Sequence, residues 1–240
     1  MEIVRTKSFI IKKIPIKEYD ALVFLFTDTI GKVVARAKSG FKKDTKWTSI
    51  IETMNLIDTS LYKKRDYYYL TETKVIESFL TIKRDLNRSL VALQVLDLID
   101  KTQVENNSNN NLFNALFDFF NKLKTFNNYN SLFINFIFNF IKIEGVQFPF
   151  DKCIKCSEMI KEEYTYDFNL NGFVCSSHRT KNFIELNKNL YEKIMMISLN
   201  YEESIVFERD ELEIIYLILS SFLENNFGFK FKNYFNKIFV

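Results

Sequence analysis

The chain has 240 residues, 47% of them apolar and 26% charged, and a formal net charge of +3. Its 26 Phe and 12 Tyr exclude a disordered or fibrous protein, because such chains lack the large apolar side chains that form a core. Gly and Pro number only 5 and 2, so short strands joined by tight turns cannot account for the whole length. We therefore expect long helices over much of the chain, in one large domain or a few small ones.

Nothing in the sequence resembles a secretory or membrane-spanning segment. Met1–Arg5 lacks the order in which basic residues precede an apolar stretch. The most apolar segment, Leu132–Ile143, contains Asn135, Asn139 and Lys142 and is shorter than the ~20 apolar residues of a membrane span. The odd number of cysteines, 3, argues against a secreted disulfide framework. These features predict a cytoplasmic protein without membrane partners.

Positive charge is concentrated at one end of the chain. Residues 1–50 contain 11 Lys or Arg against 5 Asp or Glu, a net of +6, and the remainder has a net of −3. Such an asymmetry in a nearly neutral protein indicates a polyanionic partner for the basic end.

The first 80 residues have the pattern of β-strands. The strand-like segments are Phe9–Ile11, Ala21–Thr27, Val33–Lys38, Ile50–Leu61 and Tyr67–Phe79. Ala21–Thr27 is a continuous apolar run, typical of a strand buried on both faces. Val33–Lys38 alternates between apolar and mostly basic residues, which gives one buried face and one basic face. With Gly31 and Gly40 at turns, these segments predict a small closed barrel over residues 1–80.

After the strands, apolar residues recur every three or four positions, which is the pattern of helices. The apolar side of the first helix is expected at Leu86, Leu90, Leu93, Leu96 or Asp97, and Leu98–Ile99, and the helix is expected to end near Thr102. The Asn-rich stretch 105–111 is typical of a solvated connector. Further helices are predicted at Leu112–Leu123, Ser131–Glu144, Asn187–Asn200 and Asp210–Asn226.

The helical pattern is interrupted by a segment that contains every cysteine. Gly145 and Pro149 end the helical run ahead of this insert. The fold class is therefore α+β, with a barrel followed by a helical domain that carries the insert. The expected boundaries are 1–80 for the barrel, 81–148 and 183–240 for the two helical parts, and 149–182 for the insert.

The insert contains the pattern C-x2-C-x18-C-x2-H, formed by Cys153, Cys156, Cys175 and His178. All the cysteines and the 1 histidine of the chain lie at these positions. A C-x-x-C turn brings two sulfurs to one side, and a hairpin over residues 164–175 would return the second pair to the first. Three sulfurs and one nitrogen suit tetrahedral Zn²⁺. The spacing predicts a site for one zinc ion.

A redox motif, an iron–sulfur cluster and unrelated buried cysteines each account for less of this pattern. A redox C-x-x-C normally opens a helix after a strand and needs no second pair. Iron–sulfur clusters are usually held by cysteine alone. Unrelated buried cysteines would not produce paired spacing. Because the set of ligands is complete and leaves no open position for water, we expect a structural zinc rather than a catalytic one.

No catalytic apparatus is evident, and we expect a protein that is not an enzyme. With His178 on the metal, no imidazole remains to activate a Ser or Cys nucleophile. The sequence has no glycine-rich phosphate-binding motif. Glu18 and Asp20 could form an acid–base pair, but a solvated or turn position is the preferred interpretation.

Basic residues of the strand-rich end are candidates for contacts with the phosphates of a nucleic acid. The candidates are Arg5, Lys7, Lys12, Lys13, Arg36, Lys38, Lys42, Lys43 and Lys46. Phe41 and Trp47 are interleaved with the last of them, and Trp47 is a candidate for stacking on bases. The alternative for Trp47 is a position inside the barrel.

In its whole arrangement the sequence resembles the RecO family of bacterial recombinational-repair mediators. The family's pattern of E-x-D, an apolar strand ending in F-T, and a G-K turn into a basic strand is matched by Glu18-Tyr19-Asp20, Leu25-Phe26-Thr27, Gly31-Lys32 and Ala35–Lys38. The family's zinc insert is matched by Gly145, Phe148-Pro149, the first cysteine pair, Gly172 and Cys175. The resemblance covers essentially the whole chain in the same order.

Two features depart from the family pattern. RecO proteins often have K-G-[AV] after the basic strand, whereas Lys38-Ser39-Gly40 places the glycine one position later. His178 stands where a fourth cysteine is more usual, and it can also bind zinc. Some family members lack the metal site, which indicates that zinc is not essential to the family's activity.

The resemblance implies an OB-fold barrel followed by a helical domain with a zinc-binding insert. It also implies binding of single- and double-stranded DNA, annealing of complementary strands without ATP, and loading of recombinase onto strands coated by single-strand-binding protein. The implied partners are RecR and single-strand-binding protein, with RecF as a further candidate, and the implied location is the nucleoid. The main alternative is a zinc-ribbon or OB-fold protein that binds RNA or acts in transcription and does not anneal DNA. A zinc-dependent hydrolase is a second alternative, which the four ligands oppose.

Overall fold

The computed structural model describes residues 2–16, 18–65, 67–146, 148, 150–200 and 205–232. The chain divides into two compact units, Met1–Lys124 and Thr125–Val240. Pro149, expected to end a helical run, lies outside the described residues. None of the described helices combines the length and hydropathy that a membrane span needs.

The first unit contains the closed five-stranded barrel that the sequence predicts. Its strands are β1 (Glu2–Ile16), β2 (Asp20–Thr27), β3 (Gly31–Ala37), β4 (Leu56–Lys64) and β5 (Tyr67–Glu77). They follow the order β1-β2-β3-β5-β4 around the barrel, with β3 and β5 parallel. This is the topology of an OB-fold, and the predicted α+β fold class is confirmed.

Side chains that alternate along the strands fill the barrel, as the strand pattern requires. Val33, Ala35 and Ala37 point inward and are buried, whereas Val34 and Arg36 lie on the outer face. The inner side chains form one cluster, which comprises Ile10, Ala21, Val23, Leu25, Val33, Ala35, Ala37, Trp47, Ile51, Ile57, Leu61, Tyr68 and Leu70.

Two expectations for the strands were wrong in detail. The fourth strand begins at Leu56, because Trp47–Ile50 form the short helix α1, whose Trp47 enters the barrel core. The second strand is not buried on both faces: Leu22 and Phe24 remain half-buried. Its outer face is covered only near its end, where Phe26 is buried against the helices that follow.

Three helices complete the first unit: α2 (Leu80–Arg84), α3 (Leu86–Thr102) and α4 (Asn110–Leu123). Helix α4 and the residue before α2 pack on the outside of the barrel through an aromatic cluster that comprises Phe9, Phe26, Phe79, Phe113 and Phe120, and α3 contacts β1. The predicted apolar side of α3 is confirmed in its second half, where Leu96, Leu98 and Ile99 are buried. It was wrong in the first half, since Leu86 is 72% exposed and Val91 and Val95 are buried instead. Apolar residues occur almost all round this helix, so their spacing does not single out the buried side.

The Asn-rich connector is shorter than predicted and lies against the barrel. Helix α4 begins at Asn110, and the side chain of Asn109 accepts a hydrogen bond from the backbone N–H of Leu112 at 3.1 Å. The backbone N–H of Asn106 donates to the carbonyl oxygen of Lys32 at 2.9 Å. Gly31 permits this approach, because a Cβ at that position would lie 1.9 Å from the carbonyl oxygen of Asn107.

The second unit combines helices with a small sheet. Its helices are α5 (Tyr129–Ile143), α6 (Lys188–Asn200) and α7 (Arg209–Phe227). The sheet has the order β7-β6-β8, with β6 (Tyr164–Asp167), β7 (Gly172–Val174) and β8 (Phe183–Leu186). The predicted hairpin is confirmed as β6 and β7. Strand β8 was not predicted, because its four residues have no alternating apolar pattern.

Candidate metal centre and nucleic-acid interface

The first pair of ligands lies on a tight turn that its own backbone holds. The backbone N–H of Cys153 donates to the carbonyl oxygen of Glu158 at 2.8 Å, and that of Ser157 donates to the carbonyl oxygen of Cys153 at 2.8 Å. Ser157 adopts a left-handed conformation with φ of 62°. These contacts turn the chain so that the side chains of Cys153 and Cys156 face the same side.

The second pair lies on a 3-10 turn that follows β7. Ser176–His178 form this turn, and the backbone N–H of His178 donates to the carbonyl oxygen of Cys175 at 3.0 Å. The two turns are joined, because the backbone N–H of Ile154 donates to the carbonyl oxygen of Phe173 at 3.1 Å. The hairpin thus brings the second pair to the first, as its position in the sequence predicts.

The four ligand atoms meet at one point. The sulfurs and the histidine nitrogen of Cys153, Cys156, Cys175 and His178 all lie within 4.8 Å of one another. The sulfurs of Cys156 and Cys175 are 3.9 Å apart, and Nδ1 of His178 lies 3.7 Å from the sulfur of Cys153. Two sulfurs bound tetrahedrally at about 2.3 Å from one ion lie about 3.8 Å apart. The spacing therefore fits a tetrahedral metal ion.

The electrostatics of the cluster also favour a cation at its centre. Burial raises the pKa of Cys153, but backbone hydrogen bonds from Cys175, Cys156 and Lys155 lower it to about 6. At Cys156 a backbone hydrogen bond from Glu158 lowers the pKa, while burial and the neighbouring thiols raise it to about 11. Thiolates this close repel one another. A cation bound between them would keep all three sulfurs deprotonated.

A buried carboxylate, that of Asp167, fixes the frame around the cluster. Its Oδ1 accepts hydrogen bonds from the backbone N–H groups of Asn169 and Leu170 at 3.0 and 3.1 Å, which closes the hairpin turn. Its Oδ2 accepts from the backbone N–H of Thr180 at 2.6 Å, two residues after His178. One side chain therefore holds both the hairpin and the segment that follows the second ligand pair.

Aromatic contacts attach this frame to the helices of the second unit. Tyr164 stacks on Tyr191 of α6 with ring centroids 4.0 Å apart, and the Tyr191 hydroxyl donates to the carbonyl oxygen of Phe150 at 2.7 Å. Phe148 contacts Phe222 of α7 at 4.6 Å. The metal-binding insert is thus continuous with the core of the second unit.

Several candidate phosphate-binding residues of the barrel are paired with carboxylates. The pairs are Arg5–Asp58, Lys12–Asp100, Lys13–Glu52 and Arg36–Asp20. The Asp58 carboxylate raises the pKa of Arg5, chiefly through their hydrogen bond. A cation that already has such a partner releases fewer counterions on binding a phosphate. These residues are therefore weaker candidates than their charge alone indicates.

The remaining candidates lie mainly on the segment after β3, which we name the basic loop (Lys38, Lys42, Lys43 and Lys46). Within the described part of the chain, Lys38, Lys42 and Lys43 are exposed and have no carboxylate partner. Lys46 donates to the carbonyl oxygen of Thr71 at 3.2 Å, which places the basic loop beside β5. Lys7 on β1 is also exposed, and no carboxylate among the described residues pairs with it.

Trp47 cannot stack on a base, so that candidate was wrong. Its side chain is only 6% exposed and lies in the barrel core, with the Lys46 ammonium 4.5 Å from its ring. Phe41 on the basic loop is 39% exposed, and Lys13 lies 5.6 Å from its ring.

Sequence reasoning missed a group of exposed basic and aromatic residues around the β4–β5 turn. Lys63, Lys64, Arg65 and Tyr67 are exposed, and Tyr69 is half-buried. The tyrosines line a groove of about 400 Å³ on the outer face of the barrel. The run Lys63-Lys64-Arg65 followed within two residues by Tyr67-Tyr68-Tyr69 was the signal that could have identified them.

The residues that carry the family resemblance have structural roles in the barrel. Asp20 pairs with Arg36 and accepts a hydrogen bond from the backbone N–H of Ser39 at 2.8 Å. The Thr27 hydroxyl donates to the carbonyl oxygen of Gly31 at 2.9 Å and accepts from the backbone N–H of Ile30 at 3.0 Å. Glu18 lies in the exposed turn before β2, as the preferred interpretation has it, whereas Asp20 is the first residue of β2 and its carboxylate is held by Arg36 and the Ser39 backbone.

Comparison with known proteins identifies the family. The model of the recombination protein O N-terminal domain matches residues 1–79, and that of its C-terminal domain matches residues 83–234. A protein of Clostridium novyi (strain NT) named DNA repair protein RecO is 26% identical over 237 residues, which are 97% of this chain and 93% of the relative. Relatives of the same name are 27% identical in Clostridium perfringens (strain 13 / Type A), over 82% of this chain and 81% of the relative, and 26% identical in Clostridium kluyveri, over 95% and 90%. The chain belongs to the RecO family of DNA repair proteins.

Proposed function

We propose that this chain is a recombinational DNA repair mediator that binds single- and double-stranded DNA on its barrel and anneals complementary strands without ATP. The observation that carries the proposal is the basic loop, whose exposed lysines Lys38, Lys42 and Lys43 have no carboxylate partner among the described residues. Barrels of the OB type bind oligonucleotides on the face of strands 2 and 3 and on the loops that follow strands 1 and 4, and the basic loop extends from the end of β3.

Annealing requires only that two polyanions be brought together. Lysines on the barrel would displace counterions from one strand and so provide affinity independent of sequence. Lower charge on that strand reduces its repulsion of the complement, and pairing then releases the free energy of the duplex. No covalent bond is made or broken, so we propose a function without enzymatic turnover.

The proposal includes partners that the family resemblance implies. With RecR, the protein would help load recombinase onto strands coated by single-strand-binding protein, and RecF would be a further partner. Such an activity would take place in the cytoplasm, at the nucleoid.

We propose that the metal is one structural Zn²⁺ held by Cys153, Cys156, Cys175 and His178. Three thiolates and one imidazole at tetrahedral spacing are the donors that zinc accepts in closed sites. Bound zinc would neutralise the repulsion between the sulfurs and fix the insert on the helices of the second unit. It would take no part in contacts with DNA.

A salt titration of DNA binding tests the assignment of the basic loop. Replacing both Lys42 and Lys43 by Glu should weaken binding of a single-stranded oligonucleotide and lower the slope of log K against log salt by about 1.4, at about 0.7 per lost phosphate contact. The matched control replaces Lys161 and Lys181 by Glu, because both are exposed residues of the second unit and neither pairs with a carboxylate of the described residues. The control should retain the wild-type slope.

The same titration separates the proposal from its main alternative. A protein that acts on RNA would bind an RNA strand more tightly than DNA of the same sequence and would not anneal DNA. Equal slopes for the wild type and the Lys42→Glu, Lys43→Glu variant would show that the main DNA site lies elsewhere.

A further inference from the structure

The groove on the outer face of the barrel follows the seam between β3 and β5. Arg36 is the register partner of Tyr69 across this seam and of Leu22 across β2. Side chains alternate between the two faces of a strand, so Tyr67 and Val34 lie on the same outer face as these residues. Together with Ile16, Tyr68, Glu105 and Asn106 they line the groove.

The groove offers an aromatic surface that the fold does not use. Tyr67 is 66% exposed although it is a large aromatic residue. Tyr69 lies deeper, with its ring 6.3 Å from that of Tyr62, its register partner on β4. Leu22 and Val34 provide apolar walls. A flat aromatic ligand is the class of group that such a surface accepts best.

The middle of the groove has no unmatched positive charge among its described lining residues. The guanidinium of Arg36 is paired with Asp20, and the acidic residue Glu105, which is exposed, is also among the lining residues. A phosphate placed here would meet a carboxylate and an already neutralised cation. A neutral group is therefore favoured over an anion at this point.

Exposed cations lie at both ends of the groove instead, and they have no carboxylate partner within the part of the chain that the structure describes. At one end is the β4–β5 turn, where Lys64 is the register partner of Tyr67 and Arg65 follows; both are exposed. At the other end is the basic loop, which Lys46 places at Thr71. Tyr67 and Thr71 are four positions apart on β5, about 13 Å in an extended strand, so the two ends of the groove can contact different phosphates of one strand.

We propose that this groove holds an unpaired nucleobase, stacked on Tyr67, of a strand whose phosphates contact the β4–β5 turn and the basic loop. The inference rests on the proposed DNA-binding function and adds which part of the DNA the groove recognises. The groove has cations at its two ends, which suit phosphates, and a neutral aromatic middle, which suits a base. This arrangement matches the alternation of phosphates and bases in a single strand. The bases of a duplex are stacked inside it and cannot enter, so the groove selects single-stranded DNA.

The test compares two ligands of equal charge: an ordinary single-stranded oligonucleotide, and one of equal length with abasic sites that lack the bases. Tyr67→Ala should weaken binding of the ordinary strand by about 5- to 150-fold, the range measured for one base–aromatic stack. It should leave binding of the abasic strand and the salt slope unchanged, because phosphate contacts remain. Phe117→Ala, at an exposed phenylalanine of α4, is the matched control and should change neither affinity.

Each of the remaining outcomes has a distinct meaning. Tyr67→Ala that weakens both strands equally, or neither, would overturn the base-binding role while DNA binding stands. A wild type that binds neither strand would overturn the proposed function itself, and the inference with it. Tyr67→Trp provides an independent readout, since its fluorescence should be quenched by the ordinary strand and not by the abasic one.

Discussion

The position of the glycine after the third strand shows how single residues adapt this chain to the family fold. Ser39 has φ of 59°, a left-handed conformation that favours glycine. At Gly40, however, a Cβ would lie 2.6 Å from the Cβ of Ala21, so no side chain fits. Ser39 therefore has a strained backbone, which is held by the hydrogen bond from its N–H to Asp20. Glycine occupies position 40, because no side chain fits there.

Gly31 is the residue on which the docking of the connector depends. Gly31→Ala should lower the free energy of unfolding of the first unit by about 2–4 kcal/mol, because a positive φ and a severe clash with Asn107 act together. Urea unfolding followed by fluorescence of Trp47, the 1 tryptophan of the chain, measures this directly.

Gly145 provides the control for that prediction. It has φ of +73°, but a methyl group added there would have no atom of the described residues within 4 Å, so Gly145→Ala should cost the second unit only about 1 kcal/mol. Because Gly145 lies in the second unit and Trp47 in the first, both variants are also unfolded by urea with circular dichroism as the readout. If both substitutions lowered the stability by the same amount, the close approach of the connector to Gly31 would be wrong.

At the scale of elements, the metal centre could be predicted from the sequence because its geometry is local. The four ligands lie on two short turns, one before and one after a single hairpin, and the x2 spacing alone brings each pair together. The candidate DNA residues could not be ranked in this way. Whether a lysine is available depends on distant partners, as in Lys12 with Asp100, 88 residues apart.

The sequence also did not determine which side chains are buried. Trp47 lies among lysines in sequence, yet the short helix α1 turns it into the barrel. The buried side of α3 is likewise chosen by the barrel face that it contacts and not by the helix alone. The closed five-stranded barrel, in contrast, was predicted from the strand pattern, and the OB-fold from the family resemblance.

Loss of the metal should destabilise the metal-binding insert of the second unit without altering the DNA site on the barrel. Cys153→Ser should reduce bound zinc below one ion per chain and lower the melting temperature by about 6–12 °C, as expected for a loss of about 3 kcal/mol. The affinity of the folded variant for single-stranded DNA should stay within a factor of about two of the wild type, a change of less than about 0.5 kcal/mol. Metal analysis, thermal unfolding and a binding titration measure the three quantities.

Ser176→Ala is the matched control, because Ser176 is exposed beside the ligands and supplies no ligand atom. It should keep the zinc and the melting temperature. A Cys153→Ser variant that remained stable and fully loaded with zinc would contradict the assignment of the ligands.

For the whole molecule, the distribution of charge matters more than its sum. The net charge of +3 is too small to attract DNA without a local concentration of cations. The basic loop and the β4–β5 turn provide that concentration on one unit, while the metal centre lies in the other. We infer that strand binding and zinc-dependent stability are separable properties of this chain.

The most direct test of this account is the annealing of two complementary DNA strands, each coated with single-strand-binding protein of the same organism, in the absence of nucleotide. We predict that the wild type accelerates annealing and that the acceleration declines with salt. The Lys42→Glu, Lys43→Glu variant should lose most of the acceleration, and the Lys161→Glu, Lys181→Glu control should keep it. A folded, zinc-loaded wild type that failed to accelerate annealing would contradict the mediator function.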